Sequence, residues 1–279
     1  MTDFETFLGE ALPPLGLFPA ACRSRNLRRR VLKRMESHGV HDFRAYLVLL
    51  RRDPSEREAL RSLLTVTISR FFRNRRVFET LSRHVLSALA AKGKPVRAWS
   101  AGCASGEEPF TLRILWEELP GPKPRLSLLA TDVDGACLLR ARKGLYPESS
   151  LREVPRSIVE GYFRKEEGRF RLREGVVRSV EFRNLDLLRN LPPGEFDLVL
   201  CRNAAFTYFT APRRVTVAEG FASALVPGGF LVIGRTEKLP GEAAAWFPCA
   251  FPRDNIYRRL TLVTGDTPRV TGDTPGGCR

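Results

Sequence analysis

No run in this 279-residue chain approaches eighteen consecutive apolar residues, so no helix is expected to span a membrane. The first twenty residues, MTDFETFLGEALPPLGLFPA, lack a basic start followed by an apolar block, and a signal peptide is not expected. The six cysteines, Cys22, Cys103, Cys137, Cys201, Cys249 and Cys278, form no C-x-x-C pair and are spread along the chain. Neither a metal site nor a disulfide framework is expected from them, and a reducing cytoplasm suits them. Histidine is limited to His38, His41 and His84. Against these absences, 43% of the residues are hydrophobic and 28% charged, a globular composition and not that of a disordered or collagen-like chain. The length suits one large domain, or a small one beside a medium one.

Charge is abundant and one-sided. Lys and Arg number 46 against 31 Asp and Glu, a net charge of +15. Such a surface suits an acidic partner: nucleic acid, an anionic membrane or an acidic protein segment. Residues 22–35, CRSRNLRRRVLKRM, carry Arg23, Arg25, Arg28, Arg29, Arg30, Lys33 and Arg34 with no acid. Leu27, Val31 and Met35 recur every four residues, which predicts a helix with one apolar stripe and a basic face. A second helix is expected over 41–52, with Phe43, Tyr46, Leu47 and Leu50 on one face. Asp53-Pro54-Ser55 then turns the chain, with Ser55 as N-cap and Glu58 three residues on, into a third helix over 55–64.

From residue 95 strands alternate with helices. Strands are expected at 96–102, 126–134, 196–203 and 230–237, and helices at 107–119, 135–146 and 212–226. This order implies a parallel sheet covered on both faces. Residues 163–182, punctuated by Gly168 and Gly175, suggest a small antiparallel insertion. The tail repeats TGDTP at 264–268 and 271–275, and disorder is expected there.

The segment WSAGCASGEEPF (99–110) ends a strand, turns on small residues and opens a helix. Ligands of open α/β sheets bind beside such turns, where small side chains admit the ligand to the backbone. The loop is neither G-x-G-x-x-G nor G-x-x-x-x-G-K-[ST]. Asp132, at the end of the next strand, is suited to accept hydrogen bonds from a ribose diol. An N-cap role for Asp132 is the structural alternative, and Asp134 could fill it equally well. Loop and acid together point to a nucleoside-containing cofactor, S-adenosylmethionine or NAD. The Glu107-Glu108 pair disfavours NAD, because acids there would repel a pyrophosphate.

The segments TVTISRFFRN (65–74), WSAGCASGEEPF (99–110), LLATDVD (128–134), ARKGLYPESSLREVPRSIVEGYF (141–163), VEFRNLDLL (180–188), FDLVLCRN (196–203) and VPGGFLVIGRTEKLP (226–240) appear in that order. With FRAYLVLLRRDP (43–54), they resemble the CheR family of S-adenosylmethionine-dependent protein-glutamate O-methyltransferases, which act on chemotaxis receptors. The resemblance covers about 1–260. It implies an α/β fold: a Rossmann-like class I methyltransferase sheet with an N-terminal helical domain and a small inserted antiparallel β-subdomain. The implied domains are 1–75 for substrate docking and the linker, 76–260 for the methyltransferase with its insertion at 163–182, and a disordered tail at 261–279.

By motif matching, the resemblance assigns cofactor binding to Thr67, Ser69, Arg73, Ala101, Glu107, Asp132, Asp186, Leu187, Asn203 and Ala204. Glu107 is expected to hold the methionine amino group and Asp132 the ribose. Asp186 and Leu187 fall on the adenine side, and Asn203 and Ala204 next to the methyl group. Arg73 and Tyr208 are the expected catalytic residues, Arg73 holding a substrate carboxylate through its planar fork. The implied partner is a chemoreceptor-type protein with glutamate-rich cytoplasmic helices. No nucleic acid and no membrane insertion are expected, and the protein is expected to be a cytoplasmic monomer.

The scarcity of histidine is no obstacle to this chemistry. A glutamate carboxylate, with a pKa near 4.3, is already ionised at neutral pH. Two departures touch the expected site: one extra residue precedes Tyr208-Phe209, and Phe110 stands where the family commonly has Tyr. They leave open an alternative in which the same enzyme type serves a non-chemotaxis acceptor.

Overall fold

In the computed structural model, which describes residues 3–22, 25–64, 69–192 and 194–260, backbone contacts divide the chain into two units. The division falls between residues 66 and 67, and Thr207–Arg214 groups with the first unit. The expected boundary at 75 therefore lies inside the second unit. The tail at 261–279 and Thr67 lie outside the described residues.

The first unit is built on α1 (Phe4–Ala11), α2 (Arg25–Glu36), α3 (Phe43–Arg52) and α4 (Pro54–Leu64). Along α2, Leu27, Val31 and Met35 are buried, while Arg28, Arg29 and Lys33 are exposed, as the periodicity requires. Arg34 departs from that solvent-facing set by pairing inward with Glu56 of α4. Asp42 caps α3 by accepting from the N–H groups of Arg44 and Ala45. Asp53, and not Ser55, caps α4. Its Oδ1 accepts from the Ser55 N–H at 2.8 Å and the Glu56 N–H at 3.3 Å, which leaves Pro54 to open the helix. Phe7, Leu8, Tyr46, Leu50 and Leu60 form the core, against which Tyr208 and Phe209 pack.

The second unit carries a seven-stranded sheet in the order β6-β2-β1-β7-β8-β10-β9. These strands are β1 (Val96–Ala101), β2 (Leu126–Asp132), β6 (Val180–Asn184), β7 (Phe196–Cys201), β8 (Leu225–Ile233), β9 (Cys249–Phe251) and β10 (Ile256–Arg258). β6, β2, β1, β7 and β8 run parallel, and β10 pairs antiparallel to β8. The inner strands read as nearly continuous apolar runs because both faces of a parallel sheet are covered. The chain leaves β1 for β2 and then β6 on one side of it, returns to β7 on the other side, and leaves β7 away from β1 for β8. That reversal opens a crevice at the carboxyl ends of β1 and β7, where open α/β sheets take their ligands.

The helix expected over 135–146 ends at Lys143, because Gly144 adopts φ +60. A Cβ on Gly144 would also stand 2.6 Å from Val177 Cγ2. The residues beyond become β3 (Leu145–Tyr146), which joins β4 (Phe163–Glu166) and β5 (Arg169–Leu172) in a three-stranded antiparallel sheet. The insertion expected over 163–182 thus recruits β3 and is shorter than expected. Residues 174–178 are helical, and 180–184 return to the main sheet as β6.

Candidate functional site

β1 delivers Ala101 to the sheet edge, and the chain turns at once. The N–H groups of Gly102 and Cys103 both donate to the Thr131 carbonyl, at 2.8 and 3.0 Å, which straps the loop to the end of β2. Gly102 has φ +80, and a Cβ there would come 2.6 Å from Ala204 Cβ. Only glycine allows the loop after β1 to meet the loop after β7 this closely. The helix Glu107–Glu117 then begins at Gly106.

Asp132 ends β2 with its carboxylate across this loop. Oδ2 accepts from the Ala104 N–H at 2.8 Å and Oδ1 from the Asp134 N–H at 2.9 Å. The helix cap falls to Asp134, whose Oδ1 accepts from the N–H groups of Ala136 and Cys137. Asp132 is therefore not spent on capping, and each of its oxygens keeps a lone pair for a ligand hydroxyl. Burial pushes its carboxyl above the usual aspartate range.

Glu107 and Glu108 are adjacent in sequence and differ in surroundings. Glu108 is fully provided for. Its Oε1 accepts from Ser100 Oγ at 2.8 Å, and its Oε2 pairs with Arg202 Nη1 at 3.2 Å. Glu107 has a long contact from Ser150 Oγ to Oε1, at 3.4 Å, and a weaker interaction with Ser69, while its buried Oε2 has no hydrogen-bond partner among the described residues. Burial pushes its carboxyl up to about 7, with weaker downward pulls from its own backbone, Ser150, Arg140 and Ser69. The side chain lines a cleft of about 350 Å³ with Ser69, Arg70, Arg140, Tyr146 and Ser150. An unpaired buried carboxylate oxygen suits a ligand ammonium group.

Arg73 sits on a turn between two residues of positive φ, Phe72 at +56 and Asn74 at +64, with its own side chain exposed. Phe71 anchors the turn through edge-on ring contacts with Tyr146 and Phe163, at centroid distances of 4.8 and 5.0 Å. The Arg73 carbonyl accepts from Arg202 Nη2 at 2.8 Å. Asn203, at φ +56, donates its backbone N–H to Glu237 Oε2 at 2.8 Å.

Glu107, Asp132, Ala101 and Ala204 thus converge on the loop after β1, and Ser69 joins Glu107 in the cleft. Asp186 is engaged locally: its Oδ1 accepts from the Leu188 N–H at 2.9 Å and its Oδ2 pairs with Arg189 Nε at 3.3 Å. Neighbouring Leu187 is half-buried. Tyr208 belongs to the first unit, where its carbonyl accepts from the Phe18 N–H at 2.7 Å. Phe110 is not part of the site's wall. It is wholly buried beneath the loop, against Tyr146 and Phe182. The sequence pattern gives no role to Arg202 or Glu237, although they stand inside the motifs LCRN and GRTE, and it does not separate Glu108 from Glu107 in GEEPF.

Residues 67–255 match the family described as CheR methyltransferase, SAM binding domain, and residues 24–65 match the CheR methyltransferase all-alpha domain. The chain belongs to the CheR methyltransferase family. Its relatives include a chemotaxis protein methyltransferase from Listeria monocytogenes, 33% identical over 86% of this chain and 92% of the relative. A probable chemotaxis protein methyltransferase from Rhizobium etli is 34% identical over 90% of this chain and 97% of its own length. A third, from Klebsiella aerogenes, is a chemotaxis protein methyltransferase 31% identical over 80% and 78%. The cofactor of this CheR-family chain is S-adenosylmethionine. The residues present fit it: Glu107 offers an unpaired carboxylate oxygen to an amino group, Asp132 offers acceptors to a diol, and Gly102 keeps the loop bare. No helix among the described residues is long and apolar enough to cross a membrane.

Proposed function

We propose that this enzyme methylates glutamate side chains of a chemotaxis-type receptor, giving glutamate methyl esters. The bound cofactor supplies a methyl group carried on a cationic sulfonium. Glu107 holds the amino group of its methionine end and Asp132 its ribose. Thr67, Ser69 and Ala101 belong to the cofactor-binding set, Asp186 and Leu187 flank the adenine, and Asn203 and Ala204 adjoin the methyl group. The acceptor glutamate is ionised at neutral pH and needs no general base, so the protein's task is alignment and charge placement. Arg73 holds the acceptor carboxylate, and Tyr208 orients the reacting groups. The exposed Arg28, Arg29 and Lys33 of α2 suit the docking of an acidic helix in the cytoplasm.

The observation that carries this reading is a braced turn presenting Arg73 in a chain that also holds the cofactor-loop geometry of a methyltransferase family. The test is transfer of radiolabelled methyl groups to receptor fragments. Base-labile release of the label identifies an ester, and base-stable label refutes the glutamate reading. Arg73→Lys keeps the charge but not the planar fork, and is expected to slow transfer about a hundredfold, or roughly 2.7 kcal/mol of barrier. Arg73→Ala is expected to be slower still. A wild-type rate for Arg73→Ala would reduce Arg73 to a structural residue.

A further inference from the structure

Arg73 is presented by a backbone that would not hold its shape unaided. Phe72, a bulky residue, and Asn74 both lie in the left-handed region, at φ +56 and +64. Non-glycine residues persist there only when their surroundings over-determine them, and such strain gathers at functional sites. Three partners supply the constraint. The Phe72 N–H donates to Thr111 Oγ1 at 3.1 Å, and the Asn74 N–H to Glu153 Oε2 at 3.0 Å. Between them, the carbonyl of Arg73 itself accepts from Arg202 Nη2 at 2.8 Å.

Arg202 is built for this contact. Its side chain is 3% exposed, its Nη1 pairs with buried Glu108 at 3.2 Å, and its guanidinium lies 4.9 Å from the centre of the Phe78 ring. Glu108 is held in turn by Ser100 of β1. A planar, always-charged fork can join a carboxylate on one side to a carbonyl on the other, and a lysine cannot span both. The side chain therefore links the end of β7, the first turn of the helix after the cofactor loop, and the Arg73 turn. It does so 129 residues along the chain from the carbonyl it holds.

We infer that Arg202 is a positioning residue of the methyl-transfer step: anchored by Glu108, it fixes the strained turn and so the place of the Arg73 side chain. This inference rests on the reading that Arg73 meets the acceptor carboxylate. Arg202 touches no reacting atom and acts only through Arg73.

The experiment is a double-mutant cycle on the full-length enzyme, read as single-turnover transfer of radiolabelled methyl groups to a receptor fragment, with folding checked by circular dichroism. Arg202→Lys is expected to slow the wild-type enzyme about thirtyfold, and to slow Arg73→Ala less than twofold, since the group it positions is gone. A purely structural role would cost the same factor in both backgrounds. Equal losses, or an undiminished rate for Arg202→Lys, would overturn the inference. If Arg202→Lys does not fold, Glu153→Ala enters the same cycle, because Glu153 is partly exposed and braces the other side of the turn. A loss of about threefold that vanishes in the Arg73→Ala background supports the clamp. No loss, or an equal loss in both backgrounds, overturns it. A wild-type rate for Arg73→Ala alone sinks the substrate reading and this inference together. A slow Arg73→Ala with an additive Arg202→Lys sinks only this one.

Discussion

Glu56 in the first unit and Glu107 in the second are both deeply buried, at 1% and 4% exposure. Glu56 is surrounded by donors. Arg34 reaches it through Nε at 3.0 Å and Nη2 at 2.5 Å, His38 Nε2 lies 3.0 Å away, and the Tyr46 hydroxyl donates to Oε1. Burial pushes its carboxyl up, but the bonds from Arg34 and Tyr46 outweigh burial and hold it below the usual glutamate range. Among the described residues Glu107 has only weaker partners, and burial prevails. One carboxylate ties α2, α3 and α4 together. The other is kept incomplete at the mouth of a cleft. A buried charge with all its partners reads as architecture, and one lacking a partner reads as a place for a ligand.

The largest effect should come from breaking the complete site. Glu56→Gln is expected to lower the unfolding free energy by about 3 kcal/mol, near the low end for a broken buried pair because Arg34 is 37% exposed. Cofactor affinity should not change. The pH dependence has a definite sign: a depressed carboxyl stabilises the fold above about 4.5, and that contribution is lost as pH falls through its lowered folded value. Urea unfolding of the wild type and the variant across that range measures it.

Glu107→Gln should do the reverse. Affinity for S-adenosylmethionine should fall about thirtyfold, or ~2 kcal/mol, as expected when a charged hydrogen bond is lost. The ligand-free protein should be no less stable. A carboxyl raised to about 7 in the folded state opposes folding increasingly as pH climbs from about 4.5 to that value. Glutamine removes that slope, so the variant's urea midpoint at pH 7.5 should equal or exceed the wild-type one.

Asp132→Asn is a milder version of the same break. The amide must turn its NH2 toward either the Ala104 or the Asp134 N–H, so one loop contact becomes repulsive. Calorimetric affinity for the cofactor should drop about tenfold, or ~1.4 kcal/mol. The smallest effect is expected at the outer surface. Reversing Arg28, Arg29 and Lys33 to Glu should raise KM for a receptor fragment a few-fold and leave cofactor affinity intact. That difference should shrink with added salt, since exposed charges are screened over about 8–10 Å. A KM unaffected by salt and by the reversal would remove α2 from the docking reading.

Much of this was legible in the sequence because local chemistry declares itself. The Leu27, Val31 and Met35 stripe marked the buried face of α2, and the strand-loop-helix at 99–110 together with Asp132 marked the loop at the end of β1 and the carboxylate that faces it. The misplacements have physical causes. Gly144 ends a helix whose apolar period runs on into Tyr146, and the pairing of β3 with β5 is a long-range choice that no local pattern encodes. The edge strand β9 and its neighbour β10 are three residues each, too short for an alternation to register. The division of labour between Glu107 and Glu108 is invisible in an acidic pair. It depends on Arg202, 94 residues from Glu108, arriving at one of the two and not at the other.

The most direct test of the central claim, that Glu107 is left incomplete in order to hold the cofactor's amino group, is calorimetric affinity for S-adenosylmethionine as a function of pH. Binding pairs an ionised Glu107 with a ligand ammonium. Affinity should rise as pH approaches the Glu107 value of about 7. It should fall again as the ligand's amino group loses its proton near ~8. A maximum is expected between these limits, with binding about fivefold tighter at pH 7.4 than at pH 6, and no rising limb in Glu107→Gln. A Glu107→Gln variant that keeps wild-type affinity and the same rising limb would contradict it.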